Sequence, residues 1–227
     1  MEERTISQIV FDLETIPGPD KPKPEDIKVP PNYKNPEAIE KYQNDPKRIN
    51  EQYKKQALSY IEGRIHTIGF KIGTDPVGVV FHHDNEAMVL KGFEEAVVNA
   101  FKEHYGNDTA YGTTLVGHNI RLFDIPFLWL RAQKYGCHKL LRIIGATPDD
   151  IKFIDTMMVA CVTDKYKGFV SLDNACKFFG LPGKGDVTGA DVYDLWKAGK
   201  DQEIADYCAD DVQKTHDLAA KLGVITL

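Results

Sequence analysis

The segment Ser7-Gln-Ile-Val-Phe-Asp-Leu-Glu-Thr15 predicts a buried strand that ends in carboxylates. Residues 7–13 have the apolar density and β-branching of such a strand. Alternate residues of a strand share a face, so Asp12 and Glu14 point one way and Leu13 points the other. Two carboxylates side by side at the end of a buried strand repel each other, and a bound cation removes that repulsion. A solvent-facing strand end with a salt bridge would fit the same short pattern.

The rest of the pattern predicts an α/β class, with one mixed sheet flanked by helices. Further strands are expected at Arg64–Ile72, Val77–Phe81, Thr114–Gly117 and Lys152–Asp155. Helices are expected at Glu86–Tyr105, Asp124–Tyr135, Ser171–Phe179, Asp191–Ala198 and Gln202–Leu222.

Most of the chain's 12 prolines lie in residues 17–46, where a sheet cannot form. We therefore predict one domain spanning residues 1–227, with a proline-rich insertion after the first strand at about residues 17–61. Helical pieces are expected within it at Glu37–Asn44 and Pro46–Ile61. A solvated cover and a substrate-contacting lid fit this insertion equally well.

Composition limits the classes of partner. A net charge of −6 and a pI near 5.7 argue against non-specific coating of DNA. They do not argue against an enzyme that binds only the end of a strand. No apolar run approaches the roughly 20 residues of a membrane span, so no membrane partner is expected. The polar N-terminus predicts neither a signal nor a transit peptide. The four unpaired cysteines predict buried, reduced thiols and a cytoplasmic location.

A second acidic segment runs from His118 to Asp124 and reads His-Asn-Ile-Arg-Leu-Phe-Asp. Asp124 precedes Ile-Pro, so capping of the following helix explains it when it is taken alone. Asn119 offers an amide to a sugar or phosphate oxygen, and Phe123 offers a ring on which a base could stack. Core packing is the alternative for Phe123 and is the expectation for Phe127 and Leu128.

A third segment places Tyr207 and Asp211 four residues apart on a predicted helix, one turn apart on one face. A buried tyrosine with a capping or surface aspartate would fit that spacing too. Asp206 and Asp210 are expected to be solvated. Together, the three segments supply four carboxylates. Such a set can bind two hard divalent cations, which assist in-line attack on a phosphodiester. The sequence therefore predicts a nuclease.

The three segments resemble the motifs of the DEDD superfamily, the DnaQ-like 3′–5′ exonucleases on a ribonuclease H-like fold. They are Phe-Asp-Leu-Glu-Thr, His-Asn-x3-Phe-Asp-x2-Phe-Leu and Tyr-x3-Asp. The tyrosine is typical of the DEDDy branch, since the DEDDh branch carries histidine where this chain has Asp206. The nearest likeness is to the proofreading exonuclease domain of family B DNA polymerases and its stand-alone bacterial and phage relatives. The resemblance covers residues 6–16 and 64–222.

This resemblance implies two divalent cations, Mg²⁺ or Mn²⁺, held by Asp12, Glu14, Asp124 and Asp211. Asp12 would bridge the two cations, and Tyr207 would orient the attacking water. The implied substrate is the 3′ end of single-stranded DNA, with a DNA polymerase or repair machinery as a candidate partner.

The resemblance also implies which residues would contact that substrate. Backbone groups at Leu13 and Thr15 would receive the terminal 3′-hydroxyl, while Asn119 and Phe123 would hold the last nucleotides.

Alternatives to this interpretation remain. An RNA-trimming exonuclease would use the same residues. An endonucleolytic ribonuclease H-like enzyme would lack a role for Tyr207, and a non-catalytic nucleic-acid-binding module would not need all four carboxylates. Elsewhere, Asp155 is expected to cap the helix after it. His82 and His83 are expected to point to opposite faces and to form no metal pair with each other.

Overall fold

A computed structural model describes residues 8–105, 113–161, 169–183, 185 and 187–225. The strands are β1 Gln8–Ile16, β2 Arg64–Ile72, β3 Gly78–Phe81, β4 Thr114–Gly117 and β5 Lys152–Asp155. The helices are α1 Pro36–Gln43, α2 Pro46–Gln56, α3 Glu86–Tyr105, α4 Asp124–Lys134, α5 His138–Ile144, α6 Thr156–Ala160, α7 Leu172–Phe178, α8 Val192–Lys197 and α9 Asp201–Lys221. All predicted strands and helices are present, whereas the short helices α5 and α6 were missed.

The five strands form one sheet in the order β3-β2-β1-β4-β5, which puts β1 at its centre. Ile9 of β1 lies opposite Leu115 of β4 in a parallel pair. Gly117 of β4 lies opposite Asp155 of β5, also in a parallel pair. The hairpin of β2 and β3 is antiparallel. The sheet is therefore mixed, and the predicted α/β class is confirmed.

The two faces of β1 pack into different layers. Ile9, Phe11 and Leu13 belong to the main core, whereas Val10 packs with Val212 of α9 in a second cluster. Because side chains alternate along a strand, Asp12 and Glu14 share the face of Val10. The carboxylates of β1 are thereby directed to the α9 side of the sheet.

Helix α9 approaches the sheet closely at Gly69 of β2. A β-carbon placed on Gly69 would lie 2.9 Å from Cys208 Sγ and 2.9 Å from Val212 Cγ2. Both neighbours are fully buried residues of α9. The absence of a side chain at Gly69 therefore sets the distance between α9 and the centre of the sheet.

The chain divides into two compact units: one joins the residues up to Glu14 to those from Ile65 onward, and the other is Thr15–Arg64. In the second unit Asn35 caps α1 and Asp45 caps α2, so the predicted helical pieces are confirmed. The buried hydroxyl of Tyr53 donates to the carbonyl of Gly18 at 2.9 Å. The division into one domain with an insertion stays a prediction.

Two further features bear on the compositional predictions. All four cysteines are buried free thiols, as expected. Within the described ranges, no helix is both long and apolar enough to cross a membrane.

Gly69→Ala should destabilise the protein by about 1–3 kcal/mol, because the new methyl group would displace α9 at Cys208 and Val212. Thermal unfolding in metal-free buffer measures this. Gly185→Ala is the control, since a β-carbon there meets no atom of the described residues within 4 Å. Equal melting temperatures for the two variants would show that α9 is not held at this distance by Gly69.

Candidate active site

Asp12 and Glu14 are brought together on the α9 side of β1. Oxygens of both carboxylates and Sγ of Cys208 all lie within 4.8 Å of one another. Glu14 is 7% exposed and Asp12 is half-buried. The prediction that the two carboxylates share a face is confirmed.

Asp124 joins this group from the first residue of α4. The N-cap position of α4 is Phe123, and no side chain caps the helix there. Instead, Asp124 Oδ1 accepts a hydrogen bond at 3.1 Å from the backbone N–H of Leu13, on the central strand. The capping explanation of Asp124 is therefore wrong, and the carboxylate reaches the end of β1.

The environment of Asp124 disfavours its charge. The side chain is 4% exposed. Burial raises its pKa well above the usual range, the negative charge of Asp12 raises it further, and the Leu13 N–H opposes the shift. Asp124 and Asp12 are thus close enough to repel each other.

Helix α9 supplies the remaining two predicted residues. Asp211 is 5% exposed, and Tyr207, one turn before it, is half-buried. Burial raises the pKa of Tyr207 far above its usual value, and the charges of Glu14, Asp211 and Asp12 add to the shift, as does a hydrogen bond with Asp211. Tyr207 is consequently a neutral phenol that donates a hydrogen bond. Asp206 and Asp210 are exposed, as predicted.

The loop between β4 and α4 is held by Asp155, at the end of β5. Asp155 accepts from the N–H of Asn119 at 2.9 Å and of Arg121 at 3.2 Å. It also accepts from the N–H of Met157 at 3.0 Å, so the prediction that Asp155 caps the helix after it is confirmed, although that helix is the unpredicted α6. Asn119 has a φ of +64°, a left-handed conformation that asparagine tolerates. Asp155 therefore orients the loop that carries Asn119, a role the sequence pattern did not reveal.

The other predicted substrate-binding residues have structural partners. The ring of Phe123 is half-buried, packs against the main core and lies 5.1 Å from the ring of Phe127. Phe127 and Leu128 are fully buried, as expected. The hydroxyl of Thr15 donates to the carbonyl of Ala57 at 2.7 Å.

Cys208 is a component of the site that sequence reasoning missed. Its sulfur lies 3.5 Å from the backbone oxygen of Asp12 and 3.7 Å from Asp12 Oδ2. Burial raises the pKa of the thiol well above the usual range, and the charges of Asp12 and Glu14 raise it further. The protonated thiol donates toward Asp12. Its position next to Tyr207 in the sequence was the one available signal.

The donor set fits hard divalent cations. Carboxylate oxygens are the ligands that Mg²⁺ and Mn²⁺ prefer, whereas a protonated thiol is a poor ligand. Asp12 raises the pKa of both Asp124 and Tyr207, which shows that its charge acts on both sides of the site. A cation beside Asp12 would relieve that repulsion.

Comparisons with known proteins agree with this architecture. A family model described as "Predicted 3'-5' exonuclease related to the exonuclease domain of PolB" matches residues 151–225, a segment that contains Tyr207 and Asp211. No curated protein matches the chain.

Solved structures that are similar to this chain include two with described activities or ligands. One is the family B DNA polymerase from the hyperthermophilic archaeon Pyrobaculum calidifontis, with 18% identity, a TM-score of 0.57 and 95% of this chain covered. This chain spans 24% of that polymerase. The other is Brucella melitensis NrnC bound to pGG, with 14% identity, a TM-score of 0.49, and coverage of 97% of this chain and 74% of NrnC. The predicted ribonuclease H-like fold and the resemblance to PolB-type exonucleases are confirmed.

Asp124→Asn should raise the melting temperature at neutral pH in metal-free buffer. The amide removes a buried charge near Asp12 and Asp155 and keeps an oxygen to accept from Leu13. A carboxyl pKa raised by folding means that protonation favours the folded state. The advantage of the variant should therefore shrink as the pH falls through the raised pKa, where the wild type is itself neutral.

The exposed Asp206→Asn is the control for the pH series, and its melting curve should follow that of the wild type. A lower melting temperature for Asp124→Asn at neutral pH would mean that the Asp124 charge stabilises the fold.

Proposed function

We propose that this protein is a metal-dependent 3′–5′ exonuclease that removes nucleotides from single-stranded DNA and releases nucleoside 5′-monophosphates. The observation that supports it most directly is the convergence of Asp12 and Glu14 from β1 with Tyr207 and Asp211 from α9, beside Asp124. The family match over residues 151–225 supports the same class of reaction.

In this proposal Asp12, Glu14 and Asp211 would hold one divalent cation, and Asp12 and Asp124 would hold a second. Such cations supply Lewis-acid stabilisation of the negative charge that develops on the attacking and leaving oxygens. The chain provides fixed ligand positions: Glu14 and Asp211 are nearly buried, and Asp124 is tied to Leu13.

In this proposal the Tyr207 hydroxyl, whose one proton is directed to Asp211 in the metal-free site, turns to donate to the attacking water once cations hold Asp211. Its raised pKa keeps the proton on the phenol, so a role as general base is disfavoured.

The substrate end is proposed to bind at the loop and strand ends around the carboxylates. The hydrogen bond from Leu13 N–H to Asp124 fixes the end of β1 where the terminal 3′-hydroxyl would lie. Asn119, held by Asp155, and the half-buried ring of Phe123 would contact the last nucleotides. A polymerase or repair complex as partner, and a cytoplasmic location, stay predictions.

Matched single strands of DNA and RNA, labelled at either end, test direction and substrate. We expect the 3′-labelled DNA strand to release labelled mononucleotide first and the 5′-labelled strand to give a descending ladder. Asp12→Asn should abolish both the mononucleotide release and the ladder, because it removes the residue proposed to contact both cations. If RNA is digested faster than DNA, RNA is the substrate. If circular DNA is cut at a rate comparable to that of linear DNA, the protein is an endonuclease instead.

Tyr207→Phe should lower turnover by about 10²–10³-fold, the usual effect of losing one well-placed hydrogen-bonding group. The ring and its packing remain, and with cations bound the phenol is proposed to contact the water and not Asp211, so the Mn²⁺ concentration for half-maximal activity should stay unchanged. Asp211→Asn is the comparison variant, because it should raise the Mn²⁺ requirement. Full turnover by Tyr207→Phe would show that Tyr207 serves packing alone.

A further inference from the structure

A second cluster of metal-ligating side chains lies at the start of α9, apart from the carboxylates. His66 of β2, His83 just after β3, and Asp201, the first residue of α9, place their ligand atoms within 4.8 Å of one another. His66 Nε2 lies 2.9 Å from Asp201 Oδ1, and His83 Nδ1 lies 2.8 Å from the same oxygen. Two imidazole nitrogens and one carboxylate oxygen therefore already point to one place.

We propose that His66, His83 and Asp201 form a binding site for a borderline divalent cation of the Zn²⁺ type, which fastens α9 to the β2–β3 hairpin. Imidazole and carboxylate ligands suit Zn²⁺, which commonly takes three protein ligands and one water. This site is independent of the proposed nuclease centre.

The distances require small movements. In a tetrahedral site with Zn–N and Zn–O bonds of about 2.0–2.1 Å, neighbouring ligand atoms lie about 3.3 Å apart. The two nitrogens are now 2.9 and 2.8 Å from Asp201 Oδ1, so each needs to move away by about half an ångström. Entry of water is possible, because the side chains of His83 and Asp201 are 41% and 22% exposed.

The orientation of His66 is fixed by a hydrogen bond on its other nitrogen. The ring is completely buried, and Nδ1 lies 2.7 Å from the hydroxyl of Thr67. In the metal-free site Nε2 donates to Asp201, and the Thr67 hydroxyl donates to Nδ1. Because a hydroxyl can also accept, the same contact supports the metal-binding tautomer, in which the proton lies on Nδ1. Hydrogen bonds of this kind hold metal-bound histidines in position.

His83 and Asp201 are held in place as well. The indole N–H of Trp196 donates to the carbonyl of His83 at 3.1 Å, and the two rings lie 5.9 Å apart. Burial alone would raise the pKa of Asp201, but hydrogen bonds from His83 and His66 bring it below the usual value. Asp201 is thus an ionised carboxylate. The site is organised before any cation binds, which reduces the entropy lost on binding.

His83 combines with residues distant in the sequence, whereas its neighbour His82 has a different role. The backbone N–H groups of Asp84 and Asn85 donate to His82 Nδ1, which stabilises the turn that follows β3. His82 is therefore a matched control: His82→Asn removes a neighbouring imidazole and keeps an oxygen to accept from those N–H groups.

Zn²⁺ uptake should be measured by competition with a chromophoric chelator, in full-length protein carrying Asp12→Asn and Glu14→Gln to weaken the carboxylate site. We expect this parent and its His82→Asn derivative to bind one equivalent. His83→Asn should weaken binding by more than the roughly 10–100-fold that loss of a ligand's hydrogen-bond partner causes. Zn²⁺ should raise the melting temperature of the first two proteins and leave that of His83→Asn unchanged.

Asp201→Asn provides a second ligand variant, with folding of each protein checked by circular dichroism. It should also lose Zn²⁺ binding. No Zn²⁺ uptake by the parent, or equal uptake by the His82→Asn and His83→Asn proteins, would overturn the proposal. Neither outcome bears on nuclease activity, which is measured with the carboxylates intact.

Discussion

The contact between α9 and the central part of the sheet is the constraint on which the candidate site depends. At Gly69 the helix comes so close that a single added carbon would collide with Cys208 and Val212. That distance puts Cys208 against Asp12 and places Tyr207 within the influence of Glu14 and Asp12. Because β1 directs Val10, Asp12 and Glu14 to one side, the same packing that buries Val10 and Val212 brings the acidic residues together. Hydrophobic burial thus forces like charges into proximity.

That proximity is unfavourable for folding and useful for binding cations. Burial and the charge of Asp12 disfavour ionised Asp124, and the acidic neighbours disfavour ionised Tyr207. The chain compensates locally: the Leu13 N–H stabilises the Asp124 carboxylate, and the Cys208 thiol donates toward Asp12. Asp155 uses both of its oxygens to hold the loop that precedes α4. Unfavourable electrostatics supported by surrounding hydrogen bonds are typical of functional sites, where a ligand supplies the missing stabilisation.

Local patterns predicted the elements well, because β-branching and helical spacing act over a few residues. Helix α5 was missed because it follows Cys137, which offers no capping side chain to mark its start, and α6 because it has only five residues. The site was predicted in part from the alternation that pairs Asp12 with Glu14. Contacts between distant residues had no local signal: Asp124 resembled a helix cap, yet its partner Leu13 lies 111 residues away. His83 likewise meets Asp201 across 118 residues of sequence.

The proposed function requires that Asp12, Glu14, Asp124 and Asp211 hold divalent cations between β1 and α9. Crystals soaked in Mn²⁺ and measured for anomalous scattering test it most directly. We expect Mn²⁺ bound between Asp12 and Asp211, with a second ion between Asp12 and Asp124, and loss of both in Asp12→Asn crystals. Mn²⁺ bound elsewhere while these carboxylates remain metal-free, or unchanged occupancy in Asp12→Asn, would contradict it.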